Sequence, residues 1–160
     1  MTLIDDIIKR EGGSIETNNP KDKGGRTKYG ISERSNPQAW ADGTITLDEA
    51  RAIYTAKYLK GPGFDRITDQ KLQAQLVDFG VTSGPAIAIT KLQAVLKVEQ
   101  DGVLGPKTLA AIEAADPAIL SNKLALERVK MIGRIVAKNP SQATFLNGWL
   151  NRAIEFIQFP

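Results

Sequence analysis

The chain contains neither histidine nor cysteine among its 160 residues, so carboxylates, hydroxyls and amines are left for acid–base chemistry. This composition excludes Ser-His-Asp triads, cysteine nucleophiles, disulfides and metal sites built from histidine or thiolate ligands. Proton transfer near neutral pH therefore falls to Asp, Glu, Lys or Tyr.

Glu11 is the first candidate for such chemistry. Apolar residues recur at helical spacing between Leu3 and Ile8, and Gly12-Gly13 ends that pattern, so Glu11 falls in the last turn of a predicted helix. The negative end of the helix dipole disfavours an ionised carboxylate there, and a general acid has to carry its proton when it acts. The alternative is a solvated glutamate tolerated at a surface helix end.

The glycine-rich stretch that follows, residues 12–31, predicts turns and one short hairpin. It carries a second carboxylate, Asp22, and a hydroxyl, Thr27. An acid at a helix end facing a turn with these two groups is a workable glycosidase arrangement, because one group protonates the leaving oxygen and another orients water or stabilises positive charge. Alternatively, Asp22 only forms a turn and Thr27 lies on a half-buried strand.

The elements that must position these groups read mostly as helices, so the predicted fold class is mainly α with a small β or loop excursion near the start. A capping box, Thr46 to Glu49, opens a helix to about Leu59, and another helix is expected from Asp69 through Phe79. Four further helices are expected to open with proline just inside the start. Those openings are Gly84-Pro85, Gly105-Pro106, Asp116-Pro117 and Asn139-Pro140.

We expect one compact domain over residues 1–160, with a possible division into lobes 1–84 and 85–160. No segment has the 18 or more apolar residues of a membrane span. The amino terminus has early acids instead of a basic region followed by an apolar one, which predicts no Sec-type signal peptide. These features predict a cytoplasmic protein. We also expect a monomer.

Charge is uneven along the chain, because the last forty residues carry six basic and two acidic side chains, whereas the net charge of the whole is +3. A basic end is compatible with nucleic acid or with anionic envelope lipid bound by cationic amphipathic helices. A core helix with a solvated basic face is the simpler interpretation, and we expect no nucleic-acid partner.

Five segments in order resemble glycoside hydrolase family 108, the N-acetylmuramidases of phage endolysins and related bacterial proteins. They are Glu11-Gly12-Gly13, the stretch Pro20 to Ser32, Tyr54-Thr-Ala-Lys-Tyr58, the stretch Val77 to Pro85, and Asp101-Gly-Val-Leu-Gly-Pro-Lys-Thr108. The last resembles a segment of the C-terminal half that is annotated in relatives as peptidoglycan-binding.

The resemblance implies a lysozyme-like fold and assigns roles to individual positions. Glu11 matches the catalytic acid of the family. Asp22 and Thr27 match the turn residues opposite it, which by analogy with phage-type lysozymes help to position water. The candidate substrate contacts in matching segments are Tyr29, Tyr54, Tyr58, Asp78 and Ser83.

Several of these positions have a structural alternative. Tyr54 and Tyr58 share a helix face and could equally be core residues, and Asp78 could be a buried carboxylate with structural partners instead of a substrate contact. The chain also departs from the family pattern. Ser14 stands where an aromatic is usual, and Thr82 stands where asparagine is usual.

The resemblance implies hydrolysis of the β-1,4 bond between N-acetylmuramic acid and N-acetylglucosamine in peptidoglycan glycan strands. It implies no metal and no organic cofactor. The biological role would be that of an endolysin for host cell lysis, held in the cytoplasm until a holin releases it to the periplasm. The alternatives are a lytic transglycosylase, a non-catalytic wall-binding module and a small helical nucleic-acid binder.

Overall fold

A computed structural model describes residues 2–18 and 24–159. Seven α-helices and one two-stranded sheet lie in this part of the chain. The helices are α1 Leu3–Arg10, α2 Leu47–Tyr54, α3 Gln70–Ser83, α4 Pro85–Leu96, α5 Pro106–Glu113, α6 Pro117–Lys138 and α7 Leu146–Ile154. The predicted mainly α, lysozyme-like class is confirmed.

The helix starts follow the predicted capping chemistry. The Thr46 hydroxyl accepts a hydrogen bond from the Glu49 backbone N–H, and the Glu49 carboxylate accepts one from the Thr46 backbone N–H, which is the capping box expected at α2. Proline occupies the first helical position of α4, α5 and α6. Asn139-Pro140 is different, because it opens a 3-10 segment, Pro140–Phe145, that leads into α7.

Two helix ends also differ from expectation. Helix α3 continues past Phe79 to Ser83, and the Gly84 N–H donates to the Gly80 carbonyl at 2.8 Å at its end. The helix that begins at Leu47 changes after Tyr54 into a wider π-helical segment, Thr55–Lys60. At the end of this segment, the Gly61 N–H donates to the Ala56 carbonyl, five residues earlier, at 2.8 Å.

The sheet is a hairpin of β1 Thr27–Lys28 and β2 Ile31–Ser32, antiparallel, with Thr27 opposite Ser32 and Lys28 opposite Ile31. Tyr29 and Gly30 form the two-residue turn, with φ of 55° and 73°. Positive φ at both turn residues matches the right-handed twist of the strands. The short hairpin predicted in the glycine-rich stretch is therefore present.

The chain forms two compact units, Met1–Gly61 and Pro62–Pro160. In the first, α1 packs on α2, and the buried apolar residues are Ile4, Ile7, Ile8, Ile31, Trp40, Ile45, Ala50 and Tyr54. In the second, α3 packs on α4 and α6, and α6 packs on α7. The lobe boundary expected at residues 84–85 lies between α3 and α4, inside the second unit.

Across the described ranges, no helix combines the length and apolar character that crossing a membrane requires.

Candidate active site

Glu11 closes α1. Its backbone N–H donates to the Ile7 carbonyl at 3.0 Å, and its φ and ψ of −83° and 14° leave the helical region. Ile4, Ile7 and Ile8 anchor one face of this helix in the core, so the position of the half-buried Glu11 is fixed by a packed helix.

The two glycines after Glu11 turn the chain sharply. Gly12 and Gly13 have φ of 112° and 57°, a region that side chains with a Cβ rarely adopt. The Gly13 N–H donates to the Ile8 carbonyl at 3.0 Å, which is the wide bond of a Schellman helix end. The Gly13 carbonyl then accepts from the Tyr29 N–H at 2.9 Å, so the helix end and the hairpin turn are joined directly.

The hairpin turn lies against the candidate acid. A Cβ placed on Gly30 would be 2.6 Å from the Glu11 Cβ and 2.6 Å from the Tyr54 hydroxyl. Real side chains do not approach so closely, so only glycine allows this contact at a positive φ. Gly30 is not among the candidate site residues that the sequence predicts. The signal was a Tyr-Gly pair between two short strand segments, which is typical of a two-residue hairpin.

Tyr54 is buried, with 3% of its surface exposed. Its hydroxyl donates to the Tyr29 carbonyl at 3.0 Å, which ties the hairpin turn to α2. A ring so deeply buried offers no platform for a sugar, so the expected substrate contact through Tyr54 does not fit this geometry, and the core alternative does.

Tyr58 is half-buried and lies 5.6 Å from Tyr54 between ring centroids. Both tyrosines line a hollow of about 150 Å³ together with Gly30 and residues of the loop after β2, among them Ser35 and Asn36. Of the two rings, Tyr58 is the more exposed one at this hollow. Tyr29, also half-buried, has the Lys28 ammonium 5.4 Å from its ring centroid.

Thr27 lies in β1 and forms a backbone bridge with Thr17, with N–H to carbonyl distances of 2.8 and 2.9 Å. Its half-buried side chain belongs to the same hairpin as Gly30. Asp22, the other expected member of the catalytic group, lies outside the described residues.

An ion pair that the sequence analysis missed supports the hairpin. Arg26 forms a bidentate pair with Glu33, at 2.8 and 3.0 Å, and its guanidinium stacks 4.9 Å from the Trp40 ring centroid. The pairing lowers the pKa of Glu33 and raises that of Arg26, in each case mainly through the hydrogen bond to the partner. Glu33 is thereby held ionised and is a poor candidate for a proton donor.

Asp78, in the second unit, is fully buried. One carboxylate oxygen accepts from Arg128 and the other from Arg152, each at 2.7 Å. The expected substrate contact through Asp78 is at odds with this placement, because both oxygens are engaged by arginines inside the protein. The structural alternative, a buried carboxylate with partners, accounts for it.

Thr82 and Ser83 end α3 beside this ion-pair cluster. The Thr82 hydroxyl accepts from Arg128 at 2.9 Å and lies 3.1 Å from two helix carbonyls. Ser83 lines a pocket together with Thr82, Arg128 and Trp149. The part of the chain that the structure describes holds no group of three or more carboxylates suited to a metal ion.

Comparison with known proteins shows the family of the chain. Residues 4–84 match the family model Glycosyl hydrolase 108, and residues 87–154 match the model described as "Predicted Peptidoglycan domain". Among solved structures, the chain is similar to SagA of Brucella abortus, with 30% identity, a TM-score of 0.75, and coverage of 94% of this chain and 87% of that one. No curated protein matches the chain. The chain therefore belongs to glycosyl hydrolase family 108 and is a peptidoglycan-degrading glycosidase.

Proposed function

We propose that the protein is an N-acetylmuramidase that hydrolyses the β-1,4 bond between N-acetylmuramic acid and N-acetylglucosamine, with Glu11 as its general acid. The observation that carries this proposal is the contact of the Gly30 hairpin turn with Glu11 at the end of α1. A glutamate whose backbone ends a packed helix and whose Cβ lies against a hairpin turn has a defined position in the fold, which supports the positioning that acid catalysis requires.

The chemistry follows from the residues available. Glu11 protonates the bridging oxygen as the glycosidic bond breaks, and positive charge develops at the anomeric carbon. Asp22 and Thr27 are proposed to orient the attacking water or to stabilise that charge. Thr27 suits this role because it is in the strand that leads to the Tyr29–Gly30 turn.

Turbidity loss of purified Gram-negative sacculi tests the assignment. Glu11→Gln keeps the shape of the side chain and removes its acid function, so the clearing rate should fall by roughly 10²–10⁴-fold. Glu113→Gln is the matched control, since Glu113 is an exposed glutamate at the last position of another helix, α5. Equal clearing by the Glu11 variant and the wild type would refute the acid assignment.

Mass analysis of the released fragments tests the bond and the reaction. Reducing N-acetylmuramic acid ends support the proposal. Reducing N-acetylglucosamine ends would place the cut at the other glycosidic bond, and anhydro-muropeptides would identify a lytic transglycosylase. Binding of sacculi without fragments would identify a wall-binding module.

An endolysin role is the biological form of this proposal, supported by the family and by the peptidoglycan model over residues 87–154. Cells that express the protein in the cytoplasm should remain intact and lyse when the inner membrane is permeabilised. Wild-type and Glu11→Gln proteins that lyse such cells equally would contradict the role.

A further inference from the structure

The second unit contains a small pocket that the proposed acid catalysis does not use. It is lined by Thr82 and Ser83 from α3, by Met131, Ile132 and Ile135 from α6, and by Trp149 from α7, and its volume is about 100 Å³. We call this the α6 pocket. About 10–15 Å³ of such volume admits one water, so the α6 pocket has room for a group of several heavy atoms but not for an extended chain.

The wall of the α6 pocket follows from helix geometry. Arg128, Met131, Ile132 and Ile135 are spaced three, four and seven residues apart and so share one face of α6. Arg128, which also lines the pocket, is 3% exposed, donates to Asp78 and Thr82, and lies over the Phe79 ring. These bonds hold the guanidinium in place, so the pocket wall is preorganised.

An aromatic pair borders the same pocket. The Trp149 and Phe145 rings are stacked, with centroids 5.6 Å apart and planes 29° apart, and Phe145 is 52% exposed. The half-buried Trp149 ring therefore packs on Phe145 and also lines the α6 pocket. An indole ring in a pocket that Thr82 and Ser83 also line is suited to a ligand with an apolar face and a few polar atoms.

The chemistry of the lining selects among the parts of peptidoglycan. Charged groups of the stem peptide are poorly matched, because the pocket's buried cation, Arg128, is already paired with Asp78. A methyl group fits the apolar wall of Met131 and Ile135, and an amide can hydrogen-bond to the hydroxyl of Ser83. An acetamido group supplies both within the available volume.

We propose that the α6 pocket binds the acetamido group of an N-acetylhexosamine residue of the glycan strand, with Trp149 against the sugar. The inference rests on the proposed function for the class of substrate. It also agrees with the matched segments, since Ser83 falls within the glycosyl hydrolase model and Trp149 within the peptidoglycan model. Ser83 then contacts the substrate, which is the role that the family resemblance implies for this position.

Titration with chitotriose, followed by tryptophan fluorescence in the Glu11→Gln protein, tests the pocket without turnover. Cellotriose is the matched ligand, because it has the same β-1,4 linkage and a hydroxyl in place of each acetamido group. Cellotriose lacks the acetamido groups that would fill the apolar wall and hydrogen-bond to its polar atoms, so it should bind roughly 10-fold or more weakly than chitotriose. The chain has two tryptophans, and Trp40 is 3% exposed, so the fluorescence change should come from Trp149.

Variants locate the binding. Trp149→Ala should weaken chitotriose binding about 10-fold or more, and Ser83→Ala should reduce the preference for chitotriose over cellotriose. Phe159→Ala, which alters an aromatic side chain that is 86% exposed, is the control and should bind as the parent does. If Trp149→Ala does not fold, Trp149→Phe serves instead and should abolish the fluorescence response while chitotriose still binds by calorimetry.

Equal affinity for chitotriose and cellotriose, no chitotriose binding, or unchanged chitotriose binding and fluorescence in all Trp149 and Ser83 variants would each overturn the proposal. The result is separable from that of the muramidase test. If chitotriose binds selectively but the wild-type protein does not cleave sacculi, the pocket proposal stands and the muramidase proposal is refuted. If the wild-type protein cleaves sacculi, Glu11→Gln does not, and chitotriose binding is not selective, the muramidase proposal stands and the pocket proposal is refuted.

Discussion

Replacing Gly30 with alanine tests whether the hairpin turn positions Glu11. Gly30 has a φ of 73°, and its new Cβ would lie 2.6 Å from the Glu11 Cβ and 2.6 Å from the Tyr54 hydroxyl. Gly43 provides a matched control, because it has a φ of 89° in the same unit and nothing within 4 Å of the corresponding Cβ position. The two variants therefore share the backbone strain and differ in the clash.

The expected magnitudes separate the two effects. A residue with a Cβ in the left-handed region costs about 1–2 kcal/mol, so Gly43→Ala should lower the free energy of unfolding by that amount. Gly30→Ala carries the same strain and adds overpacking of typically 1–3 kcal/mol, for a total of about 2–5 kcal/mol. Relief of the clash requires Glu11 or the turn to move, and a shift of about 1 Å can cost roughly 10²-fold in rate.

Urea denaturation gives the two stabilities, and turbidity loss of sacculi gives the two rates under conditions where both variants are folded. We expect Gly43→Ala to clear sacculi at nearly the wild-type rate and Gly30→Ala to clear them about 10²-fold more slowly. Equal stability and equal activity in the two variants would refute the claim that contact between the turn and Glu11 matters. A stability loss confined to Gly30→Ala, with normal clearing, would separate packing from catalysis.

Three further predictions follow from the same structure. Tyr54→Phe removes the hydrogen bond to the Tyr29 carbonyl, so it should cost about 1–3 kcal/mol of stability by urea denaturation and lower kcat more than it changes KM. Asp78→Asn should cost about 3–5 kcal/mol, because it leaves two arginines without their buried carboxylate partner. The hydrogen bond from Arg51 is the main cause that lowers the pKa of Asp5 from 3.8 to about 2, so its stabilising charge is present above pH 4 and lost as pH falls toward 2. Thermal melts from pH 5 to pH 2 should show this loss, and Arg51→Met should reduce it.

Each of these has its own control and contrary outcome. Tyr58→Phe should leave stability nearly unchanged. An equal loss of stability in the Tyr54 and Tyr58 variants would show that the hydrogen bond of the Tyr54 hydroxyl has no special stabilising effect. Asp48→Asn alters an ion pair in which Asp48 is 90% exposed, so it should change stability little. If Asp78→Asn lowered stability no more than Asp48→Asn does, the claim that the buried ion pairs of Asp78 stabilise the fold would be wrong. An identical acid slope in Arg51→Met and wild type would show that Asp5 does not depend on Arg51.

Local signals in the sequence determined most of the secondary structure, because the physical cause lies within a few residues. The capping box at Thr46 and the prolines that open α4, α5 and α6 are satisfied by neighbours in the chain. Glu11 at the end of α1 was predictable for the same reason, since the apolar repeat before it and the glycines after it define the helix end. The family followed from short motifs in order along the chain.

The roles of individual side chains at the site depended on packing between distant segments. Tyr54 and Tyr58 are four residues apart in sequence, yet only Tyr54 is buried, and its hydroxyl bonds to the hairpin turn 25 residues away in sequence. In the sequence, Asp78 is a polar residue at an otherwise apolar helix end. Its role as a buried ion-pair partner depends on Arg128, which lies 50 residues further along the chain.

The sequence alone determined the helices, the family and the candidate acid, because caps, turns and periodicity act over one or two helical turns. Only the tertiary structure decided that Gly30 lies against Glu11, that Asp78 is a buried ion-pair partner, and that Ser83 and Trp149 share a pocket. These relations join residues that are 19 to 74 positions apart, and no local propensity encodes them. They arise when the apolar faces of the helices are buried together, since that burial fixes which polar side chains meet.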